Sequence, residues 1–152
     1  YLDVLCDGTY GYGVSNIYTG VSFPVASYMW DVNVTAHELG HNFASGHTHC
    51  YSPPIDMCYG VESGCYSGPS VPTLGTIMSY CHLLGGGNVS LTLGLGHPYG
   101  VAPERVPNRM RAHVVSVAGS NPACLAPHEP LSILFLDGFF SNNTNAWSAA
   151  FP

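Results

Sequence analysis

His37, Glu38, His41 and His47 stand within the eleven-residue segment HELGHNFASGH, and no other stretch of the chain gathers as much potential chemistry. Imidazole nitrogens are good zinc ligands, and a carboxylate beside them can carry a proton. The stretch DVNVTAHELGHNF reads as helical. An advance of about 100° per residue then puts His37 and His41 one turn apart on a single face. Their rings can reach one ion at about 2.0–2.1 Å without straining the backbone. Gly46 lets the chain leave the helix so that His47 returns as a third ligand, with His49 two residues on as its competitor. Three protein ligands leave the fourth position to water, which is the catalytic rather than the structural kind of zinc site. A structural site has no use for Glu38, so its place beside His37 suggests a general base.

The surrounding elements must position these groups. Val32, Ala36, Leu39 and Phe43 fall opposite the histidines, so one helix face should hold metal and the other the core. Residues 48–73 are rich in Pro, Gly, Ser and Tyr and read as an irregular loop. A short alternating piece follows over 89–93. Pro103 opens a second helix, through about Ala118, with Val106, Met110, Val114 and Val117 on one face and Gly119 as its stop. Its three arginines, Arg105, Arg109 and Arg111, read as a solvated face.

Composition narrows the setting. Six cysteines accompany three arginines and no lysine, the pattern of a disulfide-bearing exported protein rather than a cytosolic one. Fifteen pairings are possible, and none of the cysteines has the CxxC spacing of a zinc ribbon or redox pair. A net charge of −6 with no basic stripe argues against a nucleic-acid partner. No apolar run approaches the ~20 residues needed to cross a bilayer. No GxSxG or reactive-cysteine signature competes with the histidine cluster.

At residues 37–47 the sequence resembles the metzincin zinc endopeptidases, whose signature is H-E-x-x-H-x-x-G-x-x-H with a later methionine turn. Ala44 stands where that family has a glycine, which permits a left-handed turn costing an L-residue about 1–2 kcal/mol. Met78, in TIMSY, looks like the methionine of the turn that underlies the histidines. Tyr80, two residues on, matches the spacing of branches in which a phenol approaches the metal; packing alone is the competing explanation. AHELGHNF and the cysteine-rich stretch after it look most like the adamalysin (reprolysin) branch, especially its secreted bacterial members, although Thr48 replaces the usual Asp.

The resemblance implies a secreted enzyme that hydrolyses protein or peptide substrates with one zinc held by His37, His41 and His47, Glu38 as general base and Tyr80 as oxyanion donor. An inactive zinc-binding fragment or pseudo-protease is the alternative. It implies an α+β catalytic domain: an active-site helix, a C-terminal helix and disulfide-stapled loops. Residues 1–6 would be a strand beside the cleft, and 85–97 would shape the wall of the specificity pocket. Only 36 residues precede His37, so most of the N-terminal sheet is expected outside this chain. Spacing and resemblance together favour Cys6–Cys124, Cys50–Cys81 and Cys58–Cys65. Residues 1–127 form the catalytic part. Residues 128–152, with DGFF and a late Trp147, resemble the short tails of secreted proteobacterial proteins or else open a further domain.

Overall fold

The computed structural model describes residues 1–17, 30–85 and 88–125. The tail over 128–152 and His128 lie outside the described residues. The element order is α1 (Trp30–Asn42), a 3₁₀ turn (Thr48–Cys50), a second 3₁₀ turn (Cys81–Leu84), α2 (Arg105–Ser120) and a short α3 (Pro122–Leu125). Among the described residues the β pairing is one isolated parallel bridge, Gly75 with Val89, so the helices and stapled loops are present but no sheet is.

Helix α1 begins beside Asp31, whose charge complements the positive end of the helix dipole. Its buried positions are Asn33, Val34, His37, Gly40 and Asn42. Val32 and Leu39 are 46% and 52% exposed, while Ala36 and Phe43 are half-buried. Of the four expected core positions, Ala36 packs against the core, whereas Val32 and Leu39 do not. The core rises beneath the histidines instead, because Ile77 and Met78 pack there with Ile55 and Val106, against Ala36 and Met110.

Residues 1–6 are not a strand. Asp3 and Cys6 adopt positive φ of 60° and 67°, which breaks any extended run. The Asp3 N–H donates to the His41 carbonyl and the Leu5 N–H to the Asn42 carbonyl, each at 3.1 Å. The last carbonyls of a helix lack partners of their own, and this segment supplies them.

The turn out of α1 is made at Ala44, not Gly46. The Ala44 N–H donates to the His41 carbonyl (2.9 Å) and the Ser45 N–H to the Gly40 carbonyl (3.1 Å). That pair of bonds is a Schellman motif, which demands a left-handed residue at Ala44. Ala44 takes it, at φ 73°, while Gly46 is not among the positive-φ residues. The Arg109 Nε–H then donates to the Ala44 carbonyl. Arg105 likewise donates to the carbonyls of Pro53 and Val101 (2.8 Å each) and lies 5.5 Å from the Tyr51 ring centroid. Arg109 and Arg111 are exposed, as a solvated face expects, while Arg105 is half-buried. Helix α2 runs through Gly119 to Ser120, and its stop is Pro122, which disfavours helix at the residue before it.

Two of the three favoured disulfides are overturned. Cys6–Cys124 is formed, but the others are Cys50–Cys65 and Cys58–Cys81. Cys58 and Cys81 share a small buried cluster with Val89. The Tyr66 N–H donates to the His49 carbonyl (3.0 Å), which brings Cys65 beside Cys50. The two loops interlock, and closing the shorter one contributes roughly 3 kcal/mol in the chain-entropy model.

The left-handed Ala44 has a measurable consequence. Ala→Gly ordinarily costs up to about 1 kcal/mol in lost backbone restriction, and a buried methyl adds ~0.8 kcal/mol. Relief of ~1–2 kcal/mol of left-handed strain offsets both. Ala44→Gly is thus expected to leave unfolding free energy in urea unchanged or raised. A loss of more than about 1 kcal/mol would show that residue 44 is not left-handed.

Candidate metal centre and catalytic site

His37 and His41 project from adjacent turns of α1, and His47 returns to them after the turn at Ala44. One nitrogen from each of the three lies within 4.8 Å of those of the other two. The ring centroids stand 4.8 Å (His37–His41), 4.8 Å (His41–His47) and 5.2 Å (His37–His47) apart. The decisive feature is what the other nitrogens do. His37 Nδ1 is 2.7 Å from the Ile77 carbonyl oxygen, His41 Nδ1 2.7 Å from the Ser45 carbonyl oxygen, and His47 Nδ1 2.7 Å from Glu62 Oε2. Carbonyls and carboxylates only accept, so each Nδ1 carries the hydrogen and donates. In the neutral ring each Nε2 then keeps its lone pair. Three neutral nitrogen donors fit a divalent ion of the zinc type and leave a coordination position open.

Burial reinforces this protonation state. It holds His37 far below its ordinary value, at about 4, against the opposing bond to Ile77. His47 is also lowered by burial, against the pull of Glu62. Neutral imidazole is the form that binds metal.

The turn at Ile77 and Met78 lies against α1, and its contacts are steric as well as polar. Met78 is fully buried, and a Cβ on Gly40 would overlap its sulfur, so glycine is needed at the fourth position of HELGH. The Thr48 N–H donates to the Met78 carbonyl (3.0 Å), and the Thr48 hydroxyl approaches the same oxygen at 3.4 Å. The turn thus binds His37 through Ile77 and the segment carrying His47 through Met78.

Tyr80 reaches the site. Its ring is nearly parallel to that of His37 at 5.9 Å and lies 4.2 Å from that of His47. Burial, then the charges of Glu62 and Glu38, raise its pKa, so the phenol keeps its proton. Glu38 is half-buried on α1 next to His37, and a Cβ at Gly13 would come within 3.0 Å of the Glu38 Cβ. The chain around Gly13 therefore runs close beside the carboxylate-bearing turn. His82 sits at the margin, its ring 5.8 Å from Tyr80 and 5.3 Å from Trp30. His97 donates to the Leu74 carbonyl (2.8 Å), and His113 lies 3.9 Å from Asp3. Both are remote from the three histidines in their bonding.

His49, the competitor, is committed elsewhere. It is fully buried, and its Nε2 lies 2.8 Å from Glu62 Oε2. His47, His49, Cys50 and Glu62 make a second group of metal-binding residue types, but the Cys50 sulfur is in a disulfide. Sequence reasoning missed Glu62. It is a single glutamate in an irregular loop, with no periodic or motif signal to mark it.

A family model described as metallo-peptidase family M12 (Reprolysin_5) matches residues 1–89. No curated protein and no solved structure matches the chain.

The geometry separates the two candidates for third ligand. His47→Ala should lower zinc retention markedly, whereas His49→Ala should keep near-stoichiometric metal. Metal analysis after dialysis measures this, and the reverse order would show that His49 completes the site.

Proposed function

This chain belongs to metallo-peptidase family M12, and on that premise we propose that it is a secreted zinc-dependent endopeptidase acting on protein or peptide substrates. One observation carries the reading: a nitrogen from each of His37, His41 and His47 lies within 4.8 Å of the other two, with the Tyr80 ring against two of the three imidazoles. His37, His41 and His47 would hold the zinc, which supplies a water acidified to near neutral pH and polarises the scissile carbonyl. Glu38 takes the proton from the attacking water and delivers it to the leaving amine. Tyr80, kept protonated by its surroundings, donates to the oxyanion as negative charge develops there. No side chain attacks the substrate, so no covalent enzyme intermediate forms. Three disulfides suit an oxidising compartment, and among the described residues no helix is long and apolar enough to cross a membrane.

Zinc storage without turnover, the pseudo-protease alternative, needs no carboxylate at position 38. Glu38→Gln is therefore expected to retain equimolar zinc while casein hydrolysis falls about 10²–10⁴-fold. Activity above a tenth of wild type would remove Glu38 from its role.

Tyr80→Phe is expected to lower kcat about 10- to 100-fold with KM nearly unchanged, since its hydrogen bond forms only as charge develops. Zinc occupancy should not change. Wild-type kcat in this variant would make Tyr80 a packing residue.

A further inference from the structure

Glu62 joins the site from outside every motif. Its Oε2 accepts from His47 Nδ1 at 2.7 Å and from His49 Nε2 at 2.8 Å. The two rings are almost parallel, 9° apart with centroids 5.4 Å from each other, so a single carboxylate oxygen ties the edges of both. An acceptor is what a neutral His47 needs to hold its hydrogen on Nδ1 and its lone pair on Nε2, and the Glu62 oxygen supplies it.

The fold delivers this carboxylate deliberately. The Cys50–Cys65 disulfide closes the loop that carries Glu62, starting three residues after His47. The Cys65 N–H donates to the Glu62 carbonyl (3.2 Å), and the Tyr66 N–H to the His49 carbonyl (3.0 Å). His49 makes its one bond to Glu62 at a cost. Its Nδ1 is buried without a partner, an arrangement that normally destabilises a protein. Such a residue calls for an explanation, and anchoring Glu62 against the third imidazole provides one.

We infer that Glu62 is the positioning residue of the third histidine: held by His49 and by the Cys50–Cys65 loop, it fixes the tautomer and ring plane in which His47 presents Nε2 to zinc. This rests on the proposed zinc site and adds to it a residue that touches neither metal nor substrate. His37 and His41 rely on backbone carbonyls for the same service, whereas His47 relies on a side chain that a substitution can remove.

The test uses the whole chain, with zinc affinity measured by competition against a chromophoric chelator and the site read by the visible spectrum of its cobalt(II) form. Wild type is expected to bind one zinc. Glu62→Ala should weaken binding toward the upper end of a 10–100-fold range, and Glu62→Gln, which still accepts but lacks charge, by about 10-fold. Both should alter the cobalt spectrum, which a purely structural role would leave unchanged. If Glu62→Ala does not fold, Glu62→Gln decides the matter alone. Wild-type affinity and spectrum in the folded variants would overturn the inference while sparing the zinc site. Two zinc ions per wild-type chain, with one lost in Glu62→Ala, would overturn it by making Glu62 and His49 ligands. A wild-type chain that binds no zinc would sink the zinc reading itself, and this inference with it.

Discussion

Three imidazoles can serve one ion only if each offers the same nitrogen to the same point, and free histidines have no reason to do so. A neutral imidazole interconverts between two tautomers and rotates about two bonds, so an unsupported triad would spend much of its time misaligned. Here every Nδ1 is tied at 2.7 Å to an oxygen that can only accept. The rest of the described structure is arranged to bring those three oxygens into place. Ile77 comes from the methionine turn, Ser45 from the turn that ends α1, and Glu62 from the loop closed by Cys50–Cys65.

That requirement explains features that would otherwise look unfavourable. Ala44 sits left-handed at φ 73° because the Schellman turn must aim the Ser45 carbonyl back at His41. Arg109 steadies the same turn by donating to the Ala44 carbonyl. Gly40 gives up a side chain in mid-helix, which costs about 1 kcal/mol in helix propensity, so that the Met78 sulfur can lie against the helix backbone. His49 leaves a nitrogen unsatisfied in the interior. Each local cost falls within three residues of a triad histidine, and each maintains the position of an acceptor or of the turn that carries it.

The small core follows the same geometry. Ile55, Ile77, Met78 and Val106 lie under the histidine-bearing side of α1, not behind it. Val32 and Leu39 consequently face outward, although their spacing marks them as core residues of an amphipathic helix. Packing is concentrated where the three histidines need a rigid floor. The disulfides supplement it, tying residue 6 to residue 124 and interlocking the loops between 50 and 81.

Local pattern was enough to identify what depends on local pattern. The span of α1, the convergence of His37, His41 and His47, the buried Met78 and the arrival of Tyr80 at the triad were all legible from residue spacing or from the resemblance it supports. The exit from α1 was less legible: the glycine at 46 suggested the turn there, and the structure makes it at Ala44. Glu62, the pairing of Cys50 with Cys65 and of Cys58 with Cys81, the capping of α1 by residues 1–6 and the side of α1 that meets the core were decided only by tertiary structure. These depend on which distant segments meet. A carbonyl short of a donor or a histidine short of an acceptor takes its partner from whatever chain the fold brings near, and sequence spacing carries no record of that choice.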